Sequence, residues 1–139
     1  MPYIPDPARR AALDAGTAYA ENVGELNYRC TRILDTWLSE VGVKYTNLNR
    51  AIGEVEAAHD WAKLPPAGTP GRAIMDEISR FLGTARGDKT DVKGVLRCVE
   101  LELYRRIAAP FEDIKIIENE DVYTITPRTT VDGSGNITL

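Results

Sequence analysis

Leu26, Cys30, Ile33, Leu34, Trp37, Leu38 and Val41 recur mostly at steps of three and four, which lays one apolar stripe along a helix of 3.6 residues per turn. A half-buried strand would need alternation at every second residue, so this stretch commits the chain to helices packed on helices. Gly42 comes next as the stop, since glycine takes positive φ at little cost. Before the stripe, Asp6 and Pro7 read as a helix start. The carboxylate caps free N–H groups, and proline in the first turn gives up no hydrogen bond. The spacing predicts a first helix running through Ala-rich sequence to about Glu21.

The same period returns three more times. Thr46 or Asn47 is expected to cap a third helix with the stripe Leu48, Ile52 and Val55, continuing toward His59 and Ala62. Pro65 to Gly71 is a loop, and Thr69-Pro70 opens a fourth helix that turns Ile74, Ile78, Phe81 and Leu82 inward before Gly83. After a polar loop from Gly83 to Lys89, Thr90 is expected to cap a fifth helix. Its apolar face is Val92, Val95, Leu96, Val99, Leu103 and Ile107. Pro110 marks its end or starts a short further helix through Asn119.

The tail obeys different rules. Val122 to Thr126 is β-branched and alternating, and Asp132-Gly133-Ser134-Gly135-Asn136 is turn chemistry ahead of Ile137-Thr138-Leu139. The expected fold is therefore mainly α: a compact bundle of about five helices with a short C-terminal β-hairpin or edge strand. Residues 1–123 form the helical domain and 124–139 a strand-like tail, which could pair subunits, since a lone hairpin is marginal. Asn47 to Trp61 and Asp91 to Arg105 also align as a weak internal echo, with Glu56 over Glu100. Two helices of one amphipathic pattern give as much without duplication.

A net charge of −4 argues against a protein that coats duplex nucleic acid, which needs excess Lys and Arg to displace phosphate counterions. No apolar run approaches the roughly twenty residues of a membrane span, and the start Met1-Pro2-Tyr3-Ile4 lacks a signal-peptide core. The expected setting is the cytosol. Cys30 and Cys98 both fall in amphipathic segments and are expected as buried reduced thiols. A chain of 139 residues builds a core without a disulfide.

His59 is the only histidine, which with two cysteines excludes a structural zinc site of four cysteines or of two cysteines with two histidines, and no nucleophile-elbow motif argues for a Ser-His-Asp set. Glu56 and His59 have the Glu-x-x-His spacing of di-iron bundles, but those need two such pairs plus two further Glu. A surface histidine beside an acid is the plainer account. Glu54 with Glu56, Asp76 with Glu77, and Glu100 with Glu102 could hold magnesium for phosphate hydrolysis. Solvated helix faces explain these acids better. No catalytic residue, metal or cofactor is implied.

Tyr104-Arg105-Arg106 carries more information. Adjacent arginines face different sides of a helix; Arg106 has Glu102 one turn back, and Arg105, with Leu101 at i−4, reaches Glu102 at i−3 only in competition with it, which leaves Arg105 without a committed local partner. A guanidinium beside a tyrosine suits a planar anion, with pairing of Arg105 to Glu112 or Asp113 as the more ordinary outcome.

Met1-Pro2-Tyr3-Ile4, Gly24-Glu25-Leu26-Asn27-Tyr28, the run from Val99 to Asp113, and Glu118-Asn119-Glu120-Asp121-Val122-Tyr123 together resemble an uncharacterised family of small proteins. That family is common in tailed-phage genomes and environmental metagenomes. Phe111 stands where the family has Tyr, Glu120 where it has Gly, and about His59 to Lys89 looks like extra sequence. The resemblance implies a viral protein acting in a host bacterial cytosol and carries no catalytic residues.

A phage protein of this kind would act by binding. The specific expectation is an anti-defence role: a homo-oligomer that sequesters a small, cyclic nucleotide immune signal between subunits. Tyr104, Arg105, Lys115, Tyr123 and Arg128 would be the ligand-binding residues. The alternatives are a protein-binding or structural accessory module and a magnesium-dependent nucleotide hydrolase acting through Glu56 and Glu100.

Overall fold

A computed structural model describes residues 4–120 and the backbone at 130–131 and 137–138. Helix α1 (Pro7–Ala15) starts as its sequence dictates, with the Asp6 carboxylate accepting from the Ala8 N–H at 2.9 Å. It stops at Ala15, nearly two turns before the expected end at about Glu21. Gly16 takes φ +76°, and the N–H groups of Gly16 and Thr17 turn back onto the Ala12 carbonyl and its neighbour. The left-handed glycine outweighs the helix propensity of the residues after it. Asn22 then caps α2 (Val23–Val41) by accepting from Glu25 N–H at 2.9 Å.

Helix α2 is the central rod, about 28 Å long at 1.5 Å per residue. It packs on α4 (Pro70–Leu82) and α5 (Lys89–Leu103), while α3 (Tyr45–Ala57) lies against the same two helices. The predicted stripes supply the core. Leu26, Cys30, Leu34 and Leu38 from α2 meet Leu48 and Val55 from α3, Ile74, Ile78 and Phe81 from α4, and Val92, Leu96 and Val99 from α5. A smaller cluster of Ile4, Leu13 and Tyr28 seats α1.

Two expected caps are reassigned. Lys44, not Thr46 or Asn47, stands at the start of α3 and makes no side-chain cap. Asn47 instead donates through Nδ2 to the Val41 and Gly42 carbonyls, closing the end of α2. Asp88, not Thr90, caps α5, accepting from the N–H groups of Thr90 and Asp91. Thr69 and Pro70 do open α4. Cys98 is exposed rather than buried, because it sits just outside the arc defined by Val95 and Val99; only Cys30 is a core thiol.

Past Leu103 the helix does not end. One π-helical turn (Tyr104–Ala108) runs on into α6 (Ala109–Asn119), with Pro110 in the first turn of α6, where its missing N–H costs little. Helix α6 has no fully buried residue: Phe111 near its start packs partly against the core, while Ile114, Ile116 and Ile117 are exposed.

The helical bundle matches expectation, but a β-hairpin as part of the fold does not. Among the described residues the bundle is built from helices, and the strand pairing is that of Thr130–Val131 with Ile137–Thr138, two residues a side. That is below the three to ten residues of an ordinary strand. The stretch Val122 to Thr126, read as a strand from its alternation, lies outside the described residues.

Candidate functional site

Of the predicted site residues, Tyr104, Arg105 and Lys115 are among the described ones, and none of the three lines the groove between α2 and α5. The Tyr104 hydroxyl donates to Glu112 Oε2 at 3.1 Å, and Arg105 Nη2 donates to both oxygens of Glu102 at 3.1 and 3.2 Å. Lys115 Nζ reaches Glu118 at 3.0 Å and sits 5.5 Å from the centre of the Phe111 ring. Tyr123 and Arg128 lie outside the described residues. Arg105 thus takes Glu102, the i−3 acid for which it was expected to compete with Arg106. The π turn inserts extra backbone and rotates the residues beyond it, and Arg106 faces the groove between α5 and α2.

That groove is the cavity sequence reasoning missed. It encloses about 350 Å³, at the small end of ligand pockets. Leu34 and Leu38 of α2, Val99 and Leu103 of α5, Val43 and Ile107 make its apolar floor and walls. Arg32, Asp35, Glu102 and Arg106 stand at its rim with Thr31 and Ser39. Arg32 donates to Asp35 at 2.9 Å and lies 3.7 Å from Asp14, and Glu102 is held by Arg105. The two hydroxyls are also committed: Thr31 donates to Asn27 Oδ1 at 3.2 Å and Ser39 to the Asp35 carbonyl at 2.7 Å. Such a lining holds an apolar body and fixes polar groups at its edge, and its hydroxyls are positioned for structure rather than attack.

The carboxylates named for the hydrolase alternative do meet. Glu56 on α3 and Glu100 on α5 lie within hydrogen-bonding reach of each other, and Arg97 stands 3.7 Å from the first and 3.3 Å from the second. The hydrogen bond with Glu56, then burial, holds the Glu100 carboxyl above the usual carboxylate range, with Arg97 opposing. Two acids in reach of one guanidinium form a self-contained unit. Among the described residues no three His, Cys, Asp or Glu side chains are grouped to hold a metal ion, and no helix is long and apolar enough to cross a membrane.

Residues 1–63 and 75–122 match the family described as Domain of unknown function (DUF6899). The chain belongs to that family. No curated protein and no solved structure matches it. The DUF6899 match skips residues 64–74, so the extra sequence is the proline-rich loop and the opening of α4, a shorter stretch than His59 to Lys89.

Within the DUF6899 domain, the Gly24 to Tyr28 segment has a structural task. Glu25 is clamped by Arg9 through two hydrogen bonds of 2.7 Å and also accepts from the Glu21 N–H. Leu26 enters the core, and the Tyr28 hydroxyl donates to Asp14 at 2.8 Å. The segment straps α1 to α2. The Arg9 hydrogen bond holds the Glu25 carboxyl below its ordinary range, and burial, reinforced by the Asp14 contact, holds the Tyr28 phenol above its own.

Proposed function

We propose that this domain is a non-catalytic protein-binding module whose binding surface is the groove between α2 and the α5–π-turn helix, and that it grips one face of an amphipathic helix there. The observation that carries the reading is the groove itself: an apolar floor continuous with the core, open at the surface and edged by Arg32 and Arg106. Helix-in-groove recognition needs such a floor for apolar anchors, with charged groups at the rim to set orientation. Titration with 1-anilinonaphthalene-8-sulfonate, an apolar ring system bearing one anion, tests the groove directly. Amide shifts are expected to cluster at Leu34, Leu38, Val99, Leu103 and Arg106 and to vanish when Val43→Trp fills the mouth. Shifts confined to other surfaces would reject it.

A second reading keeps the small-ligand proposal but moves its site. Arg32 and Arg106 stand at the rim of a cavity of about 350 Å³, and a phosphate-bearing nucleotide would bind there by taking Arg32 from Asp35. The phage setting implied by the sequence resemblance would make that an immune signal. Calorimetry against cyclic di- and trinucleotides and cyclic ADP-ribose isomers decides it, and silence across the panel removes it.

A further inference from the structure

We propose that a second cavity, between α2 and the start of α4, binds an alkylammonium group at its Glu40 end. It encloses about 390 Å³. Ile33, Trp37 and Glu40 lie at steps of four and three along α2 and form one wall. Gly68, Pro70 and Ala73 form the other, and all three fall in residues 64–74, which the DUF6899 match skips. The wall facing α2 is therefore built from sequence outside the family match. The site is separate from the groove on α5 and shares only Arg32 with it.

Charge decides the ligand. Toward α1, Arg29 pairs with Asp14 and Glu77, Arg32 with Asp14 and Asp35, and Arg80 closes the set on Glu77. Three arginines hold three carboxylates there, so an anion would have to displace a protein acid. Glu40 is different. It lines the cavity, is exposed, and among the described residues has no ion pair or hydrogen bond. It follows Arg32 by about 12 Å along the helix, more than the ~8 Å Debye length at physiological salt. A lone carboxylate is a poor seat for a divalent metal, which gathers several oxygens. It does suit an organic cation.

Trp37 supplies the second contact. Three residues before Glu40, it packs partly against the core, which fixes the ring while the rest of it lines the cavity. An indole attracts a cation to its face and packs on an alkyl stem. Ile33, Pro70 and Ala73 continue that apolar surface.

Titration of the full chain with butylammonium at physiological salt, followed by amide and indole N–H shifts, provides the test. Shifts are expected at Trp37, Glu40 and Gly68, with roughly millimolar affinity. Butyrate and butanol, matched in length, should leave these signals in place. Glu40→Gln alters an exposed position, so the urea midpoint should hold while binding weakens about threefold or more. Glu40→Lys should abolish it. Glu40-dependent binding of spermidine tighter than that of butylammonium would identify a free polyamine as the source of the group. Tighter binding of a blocked lysine peptide would identify a protein lysine. Equal shifts with butanol, shifts confined to other surfaces, or an affinity unchanged in both Glu40 variants would overturn the proposal.

Discussion

Arg9 and Glu25 face each other fork to fork across α1 and α2, Nε to Oε2 and Nη2 to Oε1, both at 2.7 Å. Glu25 is almost fully buried and Arg9 half-buried. This pair, with Tyr28 on Asp14, is the main polar tie holding the N-terminal helix to the bundle.

Arg9→Ala leaves a buried carboxylate without its guanidinium and should cost about 2 kcal/mol of stability in chemical denaturation. The direction of the Glu25 shift sets the pH dependence. Its carboxyl is held below the unfolded value, so the stabilisation is present above about pH 4.5 and is lost as pH falls through the folded value. Arg9→Ala should flatten that acid limb. An unchanged limb would show that the clamp contributes nothing.

Glu100 behaves with the opposite sign. Its carboxyl is held above the unfolded value by the Glu56 hydrogen bond, so its contribution is present at low pH and lost as pH rises through the folded value. Glu100→Gln should raise stability near pH 7 by a few tenths of a kcal/mol, a modest figure because Glu56 is half exposed. The difference should shrink toward pH 4. A loss of stability at pH 7 would mean that Arg97 governs the pair.

Phe81 is the largest fully buried side chain. Phe81→Ala should cost about 4 kcal/mol through lost burial and the cavity left behind, read from the urea midpoint. A cost below about 1 kcal/mol would contradict the packing described.

The two thiols should separate cleanly in a labelling experiment. Burial, with the Glu77 charge adding to it and Arg29 opposing, pushes the Cys30 thiol up to about 12, whereas Cys98 is exposed. Ellman's reagent at neutral pH should therefore modify one thiol per folded chain and both after denaturation. Rapid reaction of both in the folded protein would contradict the placement of Cys30.

The rods of this fold were legible because burial is written at 3.6-residue spacing. Leu26 to Leu38 and Val92 to Leu103 name their buried faces in the sequence, and Thr69-Pro70 and Gly42 name their ends. Stops and caps decided by one backbone angle or one competing side chain were less legible, as Gly16 and the choice of Asp88 over Thr90 show. The candidate site was the least legible. Nothing in Tyr104 to Ala108 announces a π turn, yet that turn decides which arginine faces the groove. The groove itself joins residues 31–43 to residues 99–107, a proximity that only tertiary packing creates.

Photo-crosslinking tests the central claim most directly. Benzoylphenylalanine placed at Val43, at the groove mouth, or at Arg105, on the surface first expected to bind, reports what each position touches in solution. We predict that position 43 cross-links to an added amphipathic helical peptide and that position 105 does not. No cross-link from position 43, or as much from position 105, would contradict the assignment of the groove as the place where this protein binds.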